Sequence, residues 1–255
     1  MSIETYGGGE RVRSAAKFLS MGSLSRAKGH TVLLPIPTTK DKKHITNTDI
    51  PLSDVLCNAE KGSVIAGWGM PEYFVKEAKE LGALVLELSE DDEFVSENAY
   101  ITAIGTVGYI LTCEKSVPSD LKFAIVGYGR IGRMLTEILL YFGAAVKVFT
   151  SKESTRRSLG QCGVQTGDSA DMYGGFESFS DIDVLINTAP ADMSASFPNK
   201  KIPDGLRVIE LASGNNFDGI SGVEHLPSLP EKMYPISAGG AYFRAVKRFL
   251  SQYED

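Results

Sequence analysis

Gly127, Gly129 and Gly132 are spaced as G-x-G-x-x-G in Gly127-Tyr-Gly-Arg-Ile-Gly132. They directly follow the apolar run Lys122-Phe-Ala-Ile-Val126 and open a helical pattern beginning near Ile131. Between a strand and a helix this spacing is a dinucleotide fingerprint. Gly127 permits a tight turn, Gly129 lets the backbone approach a pyrophosphate, and Gly132 lets helix and strand pack closely. The helix N-terminus around Arg130, Ile131 and Gly132 then supplies N–H groups for phosphate oxygens. A methyltransferase turn is the weaker alternative, since its acid-x-Gly-x-Gly form would need a carboxylate near Ile125.

Cofactor choice is read one strand later. A carboxylate about 20 residues beyond the first glycine normally accepts a hydrogen bond from the ribose 2′-OH of NAD. Here the strand ends Phe149-Thr150-Ser151-Lys152, with Arg156 and Arg157 a turn on. Hydroxyls and cations suit a 2′-phosphate, so NADP(H) is expected over NAD(H), with Glu153 the acid that could still reach a ribose. Two more strand ends, Asn187-Thr188-Ala189-Pro190 and Glu210-Leu211-Ala212-Ser213-Gly214, lie where open parallel sheets bind ligands. Asn187, Thr188 and Pro190 are expected on the adenosine or ribose side, and Ala212, Ser213 and Gly214 on the nicotinamide side.

Hydride transfer also needs a proton carrier within reach of the substrate. Asp92 beside Asp91 is one candidate, a pair in which one carboxylate raises the pKa of the other; helix capping is the plainer reading. His225 is a second candidate, as a general acid or as an ordinary loop histidine. Thr38 and Thr39 precede a cluster of Lys40, Lys42, Lys43 and His44 that would suit an acidic substrate, or would merely be solvated. A 2-hydroxyacid dehydrogenase is disfavoured, because Gly214-Asn215 stands where its arginine is expected. No metal-ligand spacing and no G-x-S-x-G elbow occurs.

The elements that must position these residues alternate strand and helix. Thr31 to Ile36, Ser63 to Ala66 and Ala83 to Leu88 read as strands, with a helix over Pro71 to Leu81 and a buried or half-buried helix over Asn98 to Cys113. After Ser116-Val-Pro-Ser-Asp120, read as a linker, come strand Phe123 to Val126, helix Ile131 to Phe142, strand Ala145 to Phe149, a helical turn over Glu153 to Gln161, and strands Val184 to Ile186 and Arg207 to Leu211. The expected fold is α/β in two domains: a small N-terminal α/β domain over 1–115 and a Rossmann doubly wound parallel sheet over 119–238. An amphipathic helix over Gly239 to Tyr253 either packs beside the first domain or closes the Rossmann sheet.

Composition sets outer bounds. With 255 residues, 43% hydrophobic and 23% charged, the chain is an ordinary globular one. A formal net charge of -6 disfavours nucleic acid as the main partner. Neither a signal peptide at the start nor a run of about 20 apolar residues is seen, so a cytoplasmic protein without a membrane partner is expected. Cys57, Cys113 and Cys162 are unpaired in spacing and read as free packing thiols.

The chain resembles the A subunit of dipicolinate synthase, the sporulation enzyme, over most of its length. Tyr6-Gly-Gly-Gly-Glu-Arg11 is similar to that family's Gly-Gly-Asp-x-Arg start, Leu34-Pro-Ile-Pro-Thr-Thr39 to its Leu-Pro loop, and Ala66-Gly-Trp-Gly69 to its Ser-Gly strand end. Ser89-Glu-Asp-Asp92, Asn98 and Ile101-Thr102 follow, then Ile186-Asn-Thr-Ala-Pro190, Leu211-Ala-Ser213, Leu229-Pro230 and Ala238-Gly239, all in order. The resemblance implies NADP-dependent oxidation of a dihydrodipicolinate-type ring, a subunit-B-like flavoprotein partner and a homo-oligomer. Thr102 and Ser213, in the matching segments, complete the expected substrate contacts. The departures are a shorter segment between Phe18 and Thr31, Ile104 in place of a glutamate, Ser213-Gly-Asn-Asn216 for Ser-Arg-Pro-Gly-Gly, and Ile236 in place of a lysine. They leave an alternative, a catalytically drifted nucleotide-binding sensor or partner subunit.

The fingerprint is testable by itself. Gly129→Asp places a carboxylate against the pyrophosphate position, and NADPH affinity measured by calorimetry is expected to fall by about tenfold or more, at least ~1.4 kcal/mol.

Overall fold

The computed structural model describes residues 2–21, 30–174, 179–190, 192–197 and 200–253. The chain forms two compact units, Met1–Ile101 with Ser228–Asp255, and Thr102–Pro227.

In the first unit, β1 (Ser2–Thr5), β2 (His30–Leu33), β3 (Val64–Gly67) and β4 (Leu84–Glu87) form a parallel sheet in the order β1-β2-β3-β4. Strands buried on both faces read as continuous apolar runs, which is why Thr31 to Ile36 and Ser63 to Ala66 were legible. Their alternation divides the core. Leu33, Val64 and Ala66 face α1 (Glu10–Met21) and α8 (Pro235–Ser251), while Val32 and Ile65 face α2 (Leu52–Cys57) and α3 (Glu72–Glu80). Pro71 stands as N-cap of α3 and Gly82 (φ +82) follows its end, as the sequence indicates.

Helix α4 (Asp92–Cys113) opens with Asp91 accepting a hydrogen bond from the Phe94 amide at 2.7 Å. Its first turns are tied to α8 by Arg248, paired with Asp91 (2.7 Å) and Glu93 (3.0 Å), and by Arg244 with Glu97 (2.5 Å). Helix α8 starts at Pro235, four residues before the apolar periodicity becomes visible, because proline at the first helical position loses no hydrogen bond. The short α7 (Leu229–Met233) precedes it.

In the second unit, β5 (Lys122–Val126), β6 (Ala145–Phe149), β7 (Gln165–Gly167), β8 (Val184–Asn187), β9 (Arg207–Glu210) and β10 (Val223–His225) form an all-parallel sheet in the order β10-β9-β8-β5-β6-β7. Strand succession reverses between β5 and β8, the switch point at which doubly wound sheets bind ligands. Phe123, Ile125, Val184 and Ile186 pack with α5 (Arg130–Tyr141) and with Val107 and Ile110 of α4; Ala124, Val126 and Leu185 pack with Phe179, Phe197 and Phe217 on the opposite face. Helix α6 (Glu153–Gln161) follows β6.

Several elements lacked a sequence signal. β1 carries a single apolar residue, Ile3, and exists by pairing with β2; β7 and β10 are three-residue edge strands. The expected linker contains a 3-10 turn over Pro118–Asp120. The cysteines do not pack in the interior: Cys57 and Cys162 are exposed and Cys113 is half-buried, because each falls at or near a helix end. Among the described residues no helix is long and apolar enough to cross a membrane.

Among the described residues the largest fully buried side chain of the first unit is Tyr242 of α8, whose hydroxyl contacts the carbonyls of Leu34 (3.0 Å) and Ala66 (2.7 Å) beyond β2 and in β3. Burial pushes its phenol well above the ordinary range. Tyr242→Phe leaves these carbonyls without that donor and is expected to cost about 1–3 kcal/mol in urea unfolding.

Candidate dinucleotide site

Two of the three fingerprint glycines are required by the protein's own packing, and the third is not. At Gly127 φ is +91°, and a Cβ would lie 2.9 Å from both Thr188 Oγ and Ala189 Cβ; at Gly132 it would lie 2.2 Å from the Gly127 carbonyl. Those two serve the protein's own packing. Gly129 has φ −80° and ψ −163°, extended backbone open to any residue, and nothing lies within 4 Å of its Cβ position. Neither conformation nor packing demands glycine there, so the open space fits a ligand passing over the turn. Gly129 is also the N-cap of α5, where it caps no N–H with a side chain. Gly129 and Arg130 are exposed, while Ile131 packs partly into the core.

The end of β8 braces this turn. Thr188 Oγ donates to the Val126 carbonyl at 2.9 Å. Asn187 is 0% exposed, and its amide nitrogen donates to both carboxylate oxygens of Glu210 (3.2 and 3.0 Å) and to the Ala189 carbonyl (2.9 Å), while its oxygen accepts from the Ala189 amide. Asn187 therefore does not line the ligand side, contrary to the sequence expectation, because its hydrogen-bonding groups are turned inward. The Ala212 amide donates to Glu210 Oε1 at 2.6 Å. Glu210, missed from sequence, is thus the buried hub of the β8 and β9 ends; an acid closing the apolar run Val208-Ile209 was the available signal. Burial pushes its carboxyl up, opposed by Asn187, Ala212, Asn216 and His225.

At the β6 tip Thr150 is buried, and Ser151 and Lys152 are exposed. Arg156 donates to the Thr150 carbonyl and pairs with Asp168 at 2.8 Å. Its charge is therefore already met, by an acid beyond β7 that carries no signal in the sequence. Glu153 pairs with Arg157 at 2.7 Å rather than standing free for a ribose. Gly127, Gly129, Arg130, Ile131, Gly132, Thr150, Ser151, Lys152, Thr188, Pro190 and Ala212 do gather at the carboxyl ends of β5, β6, β8 and β9.

The expected substrate and proton-transfer residues fare differently. Thr38 is 0% exposed, its hydroxyl donating to the Pro35 carbonyl and accepting from the Trp68 amide at 3.0 Å, so it holds the loop after β2. Thr39 donates to Asp41, which also takes the His44 imidazole at 2.7 Å and the backbone amides of Lys43 and His44. Of the basic cluster, His44 is thereby held by Asp41, whose carboxyl those hydrogen bonds pull well below its usual range, while Lys40, Lys42 and Lys43 are exposed. Asp91 is half-buried and held by Arg248 and the Phe94 amide, while Asp92 is exposed at the start of α4. Thr102 is buried within α4, whereas Ser213 is exposed just beyond β9 and His225 is exposed at the end of β10, in register with Glu210.

No protein-family model matches the chain, and no curated protein matches it in sequence. Its fold is the mixed α/β, parallel-sheet architecture of Rossmann-type proteins. A D-isomer specific 2-hydroxyacid dehydrogenase from Lactobacillus delbrueckii ssp. bulgaricus, in NAD-complexed form, matches with TM-score 0.52 and 12% identity over 100% of this chain and 97% of that one. The resemblance is greater to the A subunit of dipicolinate synthase from Bacillus halodurans, TM-score 0.77 and 20% identity over 98% of this chain and 97% of that one. The corresponding dipicolinate synthase chain from Bacillus subtilis gives TM-score 0.77 and 19% identity over 100% of this chain and 98% of that one.

Glu210 carries a testable sign. A carboxyl raised on folding binds its proton more tightly in the native state, so stability falls as pH rises from the ordinary carboxylate range through the folded value. Glu210→Gln is expected to remove that slope, read from urea unfolding across pH; an unchanged slope would assign it elsewhere.

Proposed function

We propose that this chain is an NADP-dependent oxidoreductase similar to the dipicolinate synthase A subunit, oxidising a dihydrodipicolinate-like cyclic dicarboxylate. The observation that carries the reading is the unfilled space over Gly129 at the switch point of a doubly wound sheet. The whole-length likeness to the dipicolinate synthase structures supports it.

When bound, a nicotinamide cofactor supplies the hydride acceptor. The chain's own part is to hold and orient. The turn from Gly127 to Gly132 and the first turn of α5 receive the pyrophosphate, with the helix dipole favouring its charge. Ser151 and Lys152, exposed at the β6 tip, are the groups offered to a 2′-phosphate, since Arg156 is engaged by Asp168. Ser213 and His225 stand at the ends of β9 and β10, where His225 can take the proton released as the ring loses hydride. A subunit-B-like flavoprotein partner and a homo-oligomeric state belong to the same proposal.

Calorimetric titration with NADPH and NADH at matched ionic strength is expected to show NADPH at least about tenfold tighter, and Lys152→Glu to erase the difference, at a cost of ~1.4 kcal/mol or more. Equal or tighter NADH binding refutes the NADP preference. Binding of neither refutes the oxidoreductase, and binding without turnover of dihydrodipicolinate favours the sensor, the alternative to which Ile104 and Ile236 point.

A further inference from the structure

Arg11 is 3% exposed, yet among the described residues its Nε and Nη1 atoms are buried without a hydrogen-bond partner. An unpaired guanidinium out of water is costly, and arginine does not escape by losing its proton. Burial lowers its proton affinity, opposed by Glu231 and Tyr242. Of these two, Glu231 is an acid, but it acts on Arg11 through its charge alone, without a hydrogen bond to either orphaned nitrogen. Its carboxylate instead lies over the glycine turn that opens α1, with Oε1 2.1 Å from where a Cβ at Gly9 would stand.

The surroundings have the features of a ligand subsite. Gly7 (φ +78°) and Gly8 (φ +61°) turn the chain sharply from the end of β1 into α1, with Arg11 in its first turn. Tyr242, the other group acting on Arg11, bonds to carbonyls at the carboxyl ends of β2 and β3, the side of a parallel sheet that takes ligands. Thr46, whose carbonyl lies 3.3 Å from a Cβ at Gly7, also has a buried hydroxyl with no partner among the described residues. Every one of these residues belongs to the first unit.

We propose that Arg11 anchors a carboxylate-binding subsite in the first unit, against the glycine turn and the N-terminus of α1. A carboxylate matches the planar guanidinium through two parallel N–H···O bonds. Glu231 shows that a carboxylate fits over Gly9, and acts as the internal competitor that an incoming ligand displaces. One guanidinium beside an acid favours a carboxylate over a phosphate dianion. The identity of the ligand as a ring dicarboxylate rests on the proposed function; the subsite rests on Arg11.

The test is titration of pyridine-2,6-dicarboxylate, and separately of inorganic phosphate, into the full chain without cofactor. Saturable dicarboxylate binding is expected, weakened about tenfold or more in Arg11→Met and tightened in Glu231→Gln, with phosphate at least about tenfold weaker throughout. Arg11→Met is expected to be at least as stable as the parent in urea, since it removes an unpaired buried charge. The proposal is overturned if the parent binds no dicarboxylate, if phosphate binds as well, or if Arg11→Met keeps its affinity within about twofold. Loss of folding in Arg11→Met or Glu231→Gln also overturns it, by making the two residues a structural pair. Absent NADPH binding with dicarboxylate binding intact counts against the proposed function alone.

Discussion

The second unit depends on one steric constraint, the seating of Gly132 against the carbonyl of Gly127 with no room for a methyl group between them. That approach sets how closely α5 descends on β5, and hence where its uncapped N-terminus points. Protein interiors do not absorb an added carbon without moving, so the constraint propagates. The turn cannot widen because Thr188 and Ala189 close it from β8, and β8 cannot retreat because Asn187 binds the carboxylate at the end of β9. Three strand ends are thereby locked to one turn.

This lock is polar, and its placement is instructive. Asn187 and Glu210 are almost wholly buried, yet both are hydrogen-bonded, with the Ala212 amide completing the set. A buried network of this kind fixes a geometry when every member is satisfied. The backbone that would face a dinucleotide is therefore pre-shaped by groups that never touch it, while the residues left exposed, Gly129, Ser151 and Lys152, are small or flexible.

Legibility in the sequence followed the same division. Most strands of both sheets could be read because they are largely apolar, and the fingerprint could be read because steric demands leave only glycine at Gly127 and Gly132. Glu210 and Arg11 escaped notice because a charge inside an apolar element is silent until its surroundings are known. Thr38, Asn187 and Arg156 misled for the converse reason: their side-chain types suit a ligand, but the fold had already given each a protein partner. The strands β1, β7 and β10 carry too few apolar residues to announce themselves and exist by pairing alone.

Helix α8 belongs to the first unit although 126 residues of the second, Thr102–Pro227, intervene. Its Tyr242 and Val246 complete the core over β2 and β3, so that core stays open on one face until the 17 residues of α8 have left the ribosome. The second unit is continuous in the chain and has no such wait. Synthesis therefore delivers a whole Rossmann unit before the first unit can close, reversing the order in which the two begin. Contacts this distant in sequence carry a loop-closure cost that slows folding. During that interval α1 covers that face of β2 and β3 without α8 beside it, which makes α8 a guard against self-association of the nascent chain.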